Sequence, residues 1–235
     1  MALPKLQTSE YILILPSTQE EIKYRPFLVK EQKILMIAQE SGDERQIADA
    51  IGTLVSNCTF GALDAITAPM FDVEYVFLQL RSKSVGAKVK LVVTCPDDEE
   101  TKVDVEVDLD EINVQMSVEH SQEIAVTEDI MLKFRYPVLK DLQGLNDDFG
   151  DFEKAMIMIY ECIESVVHGE ETVHRIDMTR DEITEFIDSF NTAQLEEVMA
   201  FFATMPKVRH VINVTNPKTK VKGEVLLEGL ESFLV

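Results

Sequence analysis

The turn that begins at Cys95 is the part of the sequence that most resembles a metal site. In a zinc knuckle, Cys-x-x-Cys places two thiolates on one turn. Here Cys95-Pro96 stands at the tip of a predicted hairpin with Asp98 in the second position, and a similar turn later in the chain offers Asn216 and Thr219. Because tetrahedral zinc needs about four ligands, the pattern favours a surface turn with a leftover thiol over a working zinc site.

Acidic residues follow this turn, first in the run 97–100 and then at alternate positions as Asp104, Glu106, Asp108 and Asp110. A calcium-binding EF-hand loop needs oxygen ligands at alternate positions and a glycine in the sixth position. Counting from Asp104 places Leu109 there. The alternation with valines therefore indicates a solvated strand face that also charges a potential sheet edge.

The remaining chemistry-bearing residues form no recognisable catalytic pattern. The histidines lack HExxH spacing, and His168 and His174 flank an acidic loop that is predicted to be solvated. Cys58 and Cys162 fall in apolar helical stripes, which predicts buried thiols. The chain contains no GxSxG, GxGxxG or Walker A sequence. The sequence therefore nominates no catalytic, cofactor-binding or metal-ligating residue, and a nucleophile–base pair formed only in the folded chain stays an open alternative.

The hydropathy pattern predicts an α+β fold in which hairpins and helices alternate. A period of two residues predicts hairpins at 11–25, 88–109, 123–136 and 208–227. Helical periodicity predicts helices at 26–39, 43–58, from Asp72 onward, and at 151–168, 179–190 and 191–205. Capping boxes are predicted at Asp43, Thr179 and Asn191, and Asp72 is expected to cap its own helix.

Two short similarities suggest an internal duplication. Lys23-Tyr24-Arg25 resembles Lys133-Phe134-Arg135 at an offset of 110, and Thr94-Cys95-Pro96 resembles Thr215-Asn216-Pro217 at an offset of 121. The difference fits an insertion near 169–177. We therefore predict two similar units, 1–112 and 113–235, each a β-hairpin, helices and a β-hairpin, with Arg25 and Arg135 in equivalent places. The alternative is two unrelated α+β halves with similar turns.

The charge of the chain excludes several classes of partner. The 235 residues carry 22 Lys and Arg against 43 Asp and Glu, a net charge of −21, divided as −9 over 1–112 and −12 over 113–235. This acidity argues against binding to nucleic acid or to an anionic membrane surface. A mimic of nucleic acid would need one long carboxylate row, and the charges here are spread over both halves.

Other features bear on location and partners. Three widely spaced cysteines give no disulfide framework, which favours a reducing compartment. The first 30 residues do not resemble a signal peptide, and we expect an intracellular protein. The helices of the second half are rich in Met and Phe, which predicts either core packing or an adaptable binding surface. The apolar C-terminal segment 226–235 is expected to pack on the body or to insert into a partner.

Several short phrases of the sequence carry a family resemblance. They are Leu3-Pro4-Lys5-Leu6 with Tyr11, Leu15-Pro16-Ser17-Thr18, 23–31, Ile34-Leu35-Met36, Ser56-Asn57-Cys58, 71–75 and 80–86. Together they resemble the T-even-type phage baseplate hub assembly protein family, densely over 1–112 and more loosely beyond. Many relatives carry a paired-cysteine turn where this chain has only Cys95-Pro96, which further weakens a metal site.

The resemblance implies a non-enzymatic protein of a contractile phage tail. Such a protein would bind other baseplate hub proteins, either as an assembly factor in the host cytoplasm or as a structural subunit of the virion baseplate. It implies no cofactor, no nucleic acid and no membrane partner, and it transfers no site residue. The alternative is a metal-binding protein or hydrolytic enzyme that uses the Cys95 hairpin and the acidic clusters.

Overall fold

The computed structural model describes residues 7–142 and 149–233, and it is an α+β fold, as predicted. Its helices are α1 Val29–Ser41, α2 Glu44–Cys58, α3 Met70–Ser84, α4 Leu139–Leu142, α5 Asp151–Cys162, α6 Arg180–Asp188 and α7 Thr192–Thr204. Its strands are β1 Tyr11–Ile14, β2 Glu21–Tyr24, β3 Lys88–Thr94, β4 Lys102–Asp108, β5 Asn113–Gln115, β6 Glu123–Ala125, β7 Ile130–Phe134, β8 Ile163–His168, β9 Glu171–His174, β10 Lys207–Thr215 and β11 Lys222–Glu228.

The chain divides into two compact units that differ from the predicted repeats. The first, here called the discontinuous unit, consists of Met1–Gln115 together with Lys207–Val235, and the second, the inserted unit, is Met116–Pro206. Repeats along a sequence need not coincide with compact units in space. The repeat boundaries 1–112 and 113–235 therefore stay a prediction.

The first part of the discontinuous unit is a hairpin on three helices. In the antiparallel pair β1–β2, Leu13 lies opposite Ile22 and Tyr11 opposite Tyr24. Leu13, Ile22 and Tyr24 point inward and are buried with the apolar faces of α1, α2 and α3. As predicted, the Asp43 carboxylate caps α2 by accepting hydrogen bonds from the N–H groups of Arg45 and Gln46.

Asp72 has a different role from the predicted cap. The helix α3 begins at Met70 after Pro69. The Asp72 side chain is buried and accepts hydrogen bonds from the Ser17 N–H at 3.1 Å and from the Ser17 hydroxyl. Burial raises the pKa of this carboxyl above its usual range. Asp72 therefore ties the β1–β2 turn to α3.

The second part of the discontinuous unit joins hairpins from opposite ends of the chain. In β3–β4, Leu91 lies opposite Val105, and in β10–β11, Ile212 lies opposite Val225. The inward residues of both hairpins form one core with Leu109, Ile112 and Phe233. The strand β5, which the sequence did not predict, pairs with β10 and gives a sheet of order β11-β10-β5.

The inserted unit is an antiparallel sheet of order β6-β7-β8-β9 with helices packed on it. Its core contains Leu132, Phe134, Ile159, Val198 and Phe201. The Phe134 and Phe201 rings stack with centroids 5.0 Å apart. Thr179 and Asn191 cap α6 and α7 in capping boxes, as the sequence predicted.

The predicted helix over 151–168 is wrong in its last third. The helix α5 ends at Cys162, and the next six residues form β8 between β7 and β9. This segment contains Ile163, Val166 and Val167, and β-branched residues pack well on a pleated sheet. Tertiary pairing with β7 decides the strand, because the same residues also fit an apolar helical stripe.

Arg25 and Arg135 have matching surroundings, as predicted. The Arg25 N–H donates a hydrogen bond to the Cys58 carbonyl at the end of α2, and the Arg135 N–H donates to the Cys162 carbonyl at the end of α5. Each guanidinium donates to the carbonyl of the next residue and to a carboxylate six positions later, Glu31 or Asp141. The likeness supports the internal duplication, which we retain as a proposal.

Each of these carboxylates holds the start of a helix as well. Glu31 accepts a hydrogen bond from the Leu28 N–H at 2.8 Å, and Asp141 accepts one from the Val138 N–H at 2.9 Å. The Glu31 and Asp141 side chains are only 2% and 4% exposed. A buried carboxylate is tolerated only when it is paired and hydrogen-bonded, so each arginine and its acid depend on one another.

Replacing Arg25 by Met should destabilise the protein strongly. The variant would leave the Glu31 carboxylate buried without its guanidinium, and removing one partner of a buried pair costs about 3 kcal/mol or more. The free energy of unfolding by urea is the measurement. Lys88→Met is the matched control, since it removes an exposed pair with Glu106 and should change little. Equal effects of both variants would contradict the role given to Arg25.

The Arg25–Glu31 pair should also make the stability of the folded protein sensitive to acid. Burial by itself would raise the pKa of Glu31, but hydrogen bonds from Arg25, the Leu28 N–H and Lys30 outweigh it and lower the pKa below 4.5. The unfolded chain therefore takes up this proton at a higher pH than the folded chain. The stability is present above about pH 4.5 and is lost as the pH falls through the lowered pKa.

Glu31→Gln should consequently flatten the acid side of the stability profile. We expect a smaller decline in the free energy of unfolding between about pH 5 and pH 3 than in the wild type, although the variant starts from a lower value. Denaturant unfolding at a series of pH values measures both. Parallel profiles for the two proteins would show that Glu31 does not contribute to the acid sensitivity.

Gly223 in β11 should not accept a side chain. A Cβ at this position would lie 2.5 Å from Cγ of Pro96, whereas a Cβ at Gly150 would meet no atom within 4 Å. We expect Gly223→Ala to cost about 1–3 kcal/mol, because two rigid hairpins would have to separate. Gly150→Ala is the control, and thermal unfolding is the measurement. A Gly223→Ala protein as stable as the control would contradict this contact.

Candidate functional site

The Cys95 turn is held by its own backbone and not by a metal-like arrangement. The Cys95 N–H donates to the Thr101 carbonyl at 2.7 Å, and the Glu99 N–H donates to the Cys95 carbonyl at 3.0 Å. The Cys95 side chain is buried. Burial and the nearby carboxylates of Asp97 and Asp98 raise the pKa of the thiol, so the thiolate that metals and electrophiles require is disfavoured.

The acidic turn joins the two hairpins of the discontinuous unit. The Asp97 carboxylate accepts hydrogen bonds from the Asn216 side-chain amide at 3.0 and 3.1 Å and from the Thr219 hydroxyl. These bonds lower the pKa of Asp97. Asp98 accepts a hydrogen bond from the Thr101 N–H at 2.9 Å. Asn216 and Thr219, which the sequence offered as zinc-knuckle positions, therefore form a polar contact with Asp97 between two hairpin tips.

The acidic row of β4 is a solvated strand face, as the sequence indicated. Glu106 pairs with Lys88 at 2.8 Å on the exposed face of β3–β4. Asp108 accepts from the Asp110 N–H, and Asp110 accepts from the Ser82 hydroxyl at 2.6 Å and pairs with Lys83 at 3.0 Å. In residues 7–142 and 149–233, no group of three or more His, Cys, Asp or Glu side chains is arranged to hold a metal ion.

His168 and His174 lie at different positions along one hairpin. In the β8–β9 hairpin, His168 lies opposite Glu171, whereas His174 lies opposite Ser165, three rungs along the ladder. His120 is half-buried, with Nδ1 3.0 Å from the Thr204 hydroxyl, and its ring lies against Tyr136 and Phe201. Burial lowers the pKa of His120, which favours a neutral ring in an aromatic cluster.

The other two cysteines are structural. Cys58 and Cys162 are fully buried, and burial raises the pKa of their thiols to about 11 and about 12. Their carbonyls accept the hydrogen bonds from the two arginines. The sequence prediction of inert thiols on apolar helix faces is consistent with this geometry.

The inserted unit exposes an aromatic groove along α5. The groove has a volume of about 570 Å³ and is lined by Phe149, Phe152, Glu153, Met156, Ile157, Tyr160 and Arg180. Phe152 is 70% exposed. A flexible methionine beside large aromatic rings suits a surface that adapts to a partner. We call this feature the α5 groove.

A smaller cavity of about 220 Å³ lies between β8, β9 and α6 of the same unit. Its apolar wall includes Val166, Val173, Met178, Ile183 and Phe186, and its acidic members are Asp177 and Glu182. Glu182 is already engaged in the capping box of Thr179. The α5 groove is therefore the larger and less committed of the two surfaces.

The electrostatic setting of these surfaces is strongly acidic. The sequence from 116 to 206 contains 20 Asp and Glu against 6 Lys and Arg, which is a net charge of −14. The Met-rich second half of the sequence contains Met156, Met158, Met178, Met199 and Met205. Of these, Met156, Met158 and Met178 are partly buried against the core, and Met199 is 38% exposed. Met156 is the member of that group that lines the groove.

The C-terminal segment packs on the discontinuous unit. Leu227 and Phe233 are buried, and the Arg81 guanidinium donates a hydrogen bond to the Phe233 carbonyl. Leu226 remains 51% exposed. Residues 234 and 235 lie outside the described residues, as do the phrase 3–6 and the segment 143–148.

Sequence reasoning did not find the α5 groove. Helical periodicity places Phe152 and Met156 on the same face as Ile159, but it cannot tell which turns of that face are covered by other elements.

Across the described parts of the chain, no helix is both long and apolar enough to cross a lipid bilayer.

Comparison with known proteins identifies the family. A family model described as T4 bacteriophage base plate protein matches residues 8–235, nearly the full length of the chain. No curated protein and no solved structure shows a significant match. The match runs through both compact units, and it agrees with the resemblance carried by the sequence phrases. The chain therefore belongs to the T4 bacteriophage base plate protein family and is a phage baseplate protein.

Proposed function

We propose that this baseplate protein is a non-enzymatic hub assembly protein that binds other hub proteins through the α5 groove. The observation that carries the proposal is the groove itself, an aromatic and methionine-lined surface with Phe152 exposed. Interface anchors are enriched in such side chains. Membership of the baseplate protein family supports a place in the phage baseplate. Baseplate proteins act by contact with other baseplate proteins, so a binding surface is expected.

The charge distribution defines the chemistry of the partner segment. A partner that inserts an apolar side chain into the α5 groove also meets the acidic surroundings of the inserted unit, with its net charge of −14. Basic residues beside the apolar anchor would be steered toward this surface and would speed association. The partner is therefore a hub protein segment with apolar anchors and basic flanks.

The proposal includes the place of action. Assembly of the hub would occur in the host cytoplasm, and the protein either leaves after assembly or stays in the virion baseplate. Mass spectrometry of purified mature virions separates an assembly factor from a structural subunit. Normal tails formed by a phage that lacks this protein would contradict both forms of the proposal.

Phe152→Ala tests the groove directly. Phe152 is 70% exposed, so its truncation should leave folding intact. We expect affinity for hub proteins to fall by about tenfold or more, as at an interface anchor, with a matching loss of complete tails. Co-purification with hub proteins expressed together and complementation of a phage defective in this gene are the measurements.

Ile176→Ala is the matched control. Ile176 is also a large apolar residue of the inserted unit, it is 91% exposed, and it does not line the groove. This variant should bind and complement like the wild type. If Phe152→Ala also binds and complements normally, the α5 groove is not the binding site.

A further inference from the structure

Within the described residues, the strand β2 pairs with β1 along one edge and with no strand along the other, which we call the open edge. The Leu15 N–H donates to the Glu20 carbonyl at 2.9 Å, and antiparallel bonding alternates along the strand. Ile22 therefore directs its backbone groups toward β1, while Glu21 and Lys23 direct theirs to the other side. Within the described residues, no backbone partner meets Glu21 or Lys23 on that side.

The corresponding edge in the inserted unit is occupied. Lys133 corresponds to Lys23, since each directly precedes the matched Phe134-Arg135 or Tyr24-Arg25 pair. The strand β8 pairs antiparallel with β7 and places Ser165 opposite Lys133. Glu164 of β8 pairs with the Lys133 ammonium at 3.1 Å. The same architecture thus accepts an antiparallel strand at this edge, with an acid beside the lysine.

The helix ends explain why only one edge is filled. After α5, Ile163 is extended, with φ −63° and ψ 123°, and the chain continues directly as β8. After α2, Phe60 and Gly61 have φ values of 58° and 77°, and the Gly61 N–H donates back to the Ser56 carbonyl at 2.8 Å. This left-handed turn directs the chain into the loop before α3, so it does not form a strand beside β2.

The open edge is complementary to itself. If two β2 strands pair antiparallel about Ile22, Glu21 of each copy lies directly opposite Lys23 of the other. Opposite charges in such cross-strand pairs are stabilising. Neither Glu21 nor Lys23 has an ion-pair partner among the described residues of its own chain, and both side chains are exposed.

We propose that a second copy of this chain binds at the open edge of β2 and forms a four-stranded antiparallel sheet of order β1-β2-β2-β1 across a two-fold axis. Ile12 and Ile14 of β1 are 62% and 51% exposed. Their side chains lie on the outer face of the β1–β2 hairpin and would belong to the outer face of the four-stranded sheet. Exposed apolar edges are ready templates for such pairing.

The small contact area and the charge of the chain should make this dimer weak. Four residues of each strand form the contact, which is small for a specific interface. The net charge of −21 on each copy also opposes association over a screening length of about 8 Å at physiological ionic strength. We therefore expect a dissociation constant of roughly tens of micromolar, so that the protein is a monomer when dilute and a dimer when locally concentrated.

Charge reversal and its restoration test the register. Sedimentation equilibrium of the full chain from about 1 to about 300 μM should show a concentration-dependent rise in mass. Lys23→Glu or Glu21→Lys alone places like charges opposite at two positions and should weaken the dimer by about tenfold or more. The double variant E21K/K23E restores opposite pairs with the net charge unchanged and should recover the affinity to within about threefold.

Two further variants separate pairing from general effects. Lys33→Glu makes the same change in net charge at an exposed position of α1 and should dimerise like the wild type. Lys23→Pro removes the N–H that faces the open edge, which an edge strand tolerates, and should abolish the dimer while thermal unfolding shows a folded chain. Phe152→Ala should leave the dimer intact, so failure here is distinct from failure of the groove proposal.

A protein that stays monomeric over the whole concentration range would overturn the proposal. So would a dimer that tolerates Lys23→Glu, or one that the double variant fails to restore. A monomer whose Lys23→Pro variant nevertheless disrupts tail assembly would assign the edge to a strand of another protein, which also overturns pairing between copies.

Discussion

The buried arginine–carboxylate pair is the interaction on which each unit depends. Arg25 follows the last residue of β2, and its backbone and guanidinium reach the end of α2 and the carboxylate of Glu31. Glu31 in turn accepts the N–H at the start of α1. One side-chain pair thus fixes the hairpin, the beginning of one helix and the end of another. The charges are tolerated in the interior because each is hydrogen-bonded at several atoms.

Arg135 and Asp141 make the same set of contacts in the inserted unit, but the structures that follow differ. In the inserted unit the helix end passes into β8 and extends the sheet, whereas in the discontinuous unit a left-handed turn ends the helix and directs the chain away from β2. The hairpins β3–β4 and β10–β11 then join across the length of the chain through one core and the Asp97 contact. The discontinuous unit therefore cannot be complete until the C-terminal hairpin is present.

The proposed function rests on the surfaces that the two units expose. In the described structure, Asp97 and Asp98 of the Cys95 turn accept hydrogen bonds, and the three thiols are buried. The α5 groove and the edge of β2 are two exposed features, and we propose that both bind protein partners. A high negative charge keeps such surfaces from unspecific association and favours partners with basic flanks.

The sequence by itself determined the local structure and much of the class. Period-two alternation located the hairpins, capping residues located the starts of α2, α6 and α7, and the Lys-aromatic-Arg phrases indicated equivalent arginine sites. These signals are local, because side-chain direction and capping depend on neighbours within a few positions. The family resemblance was also readable from short phrases, and the match over 8–235 established it.

Only the tertiary structure decided the rest. Residues 163–168 become a strand because β7 offers an edge, and Asp72 binds Ser17 and not its own helix because the turn of β1–β2 lies there. Phe152 is 70% exposed, although helical periodicity places it on the same face as the fully buried Ile159. Pairing, burial and exposure depend on residues far apart in the chain, and a periodic pattern contains no information about which distant surface will cover it.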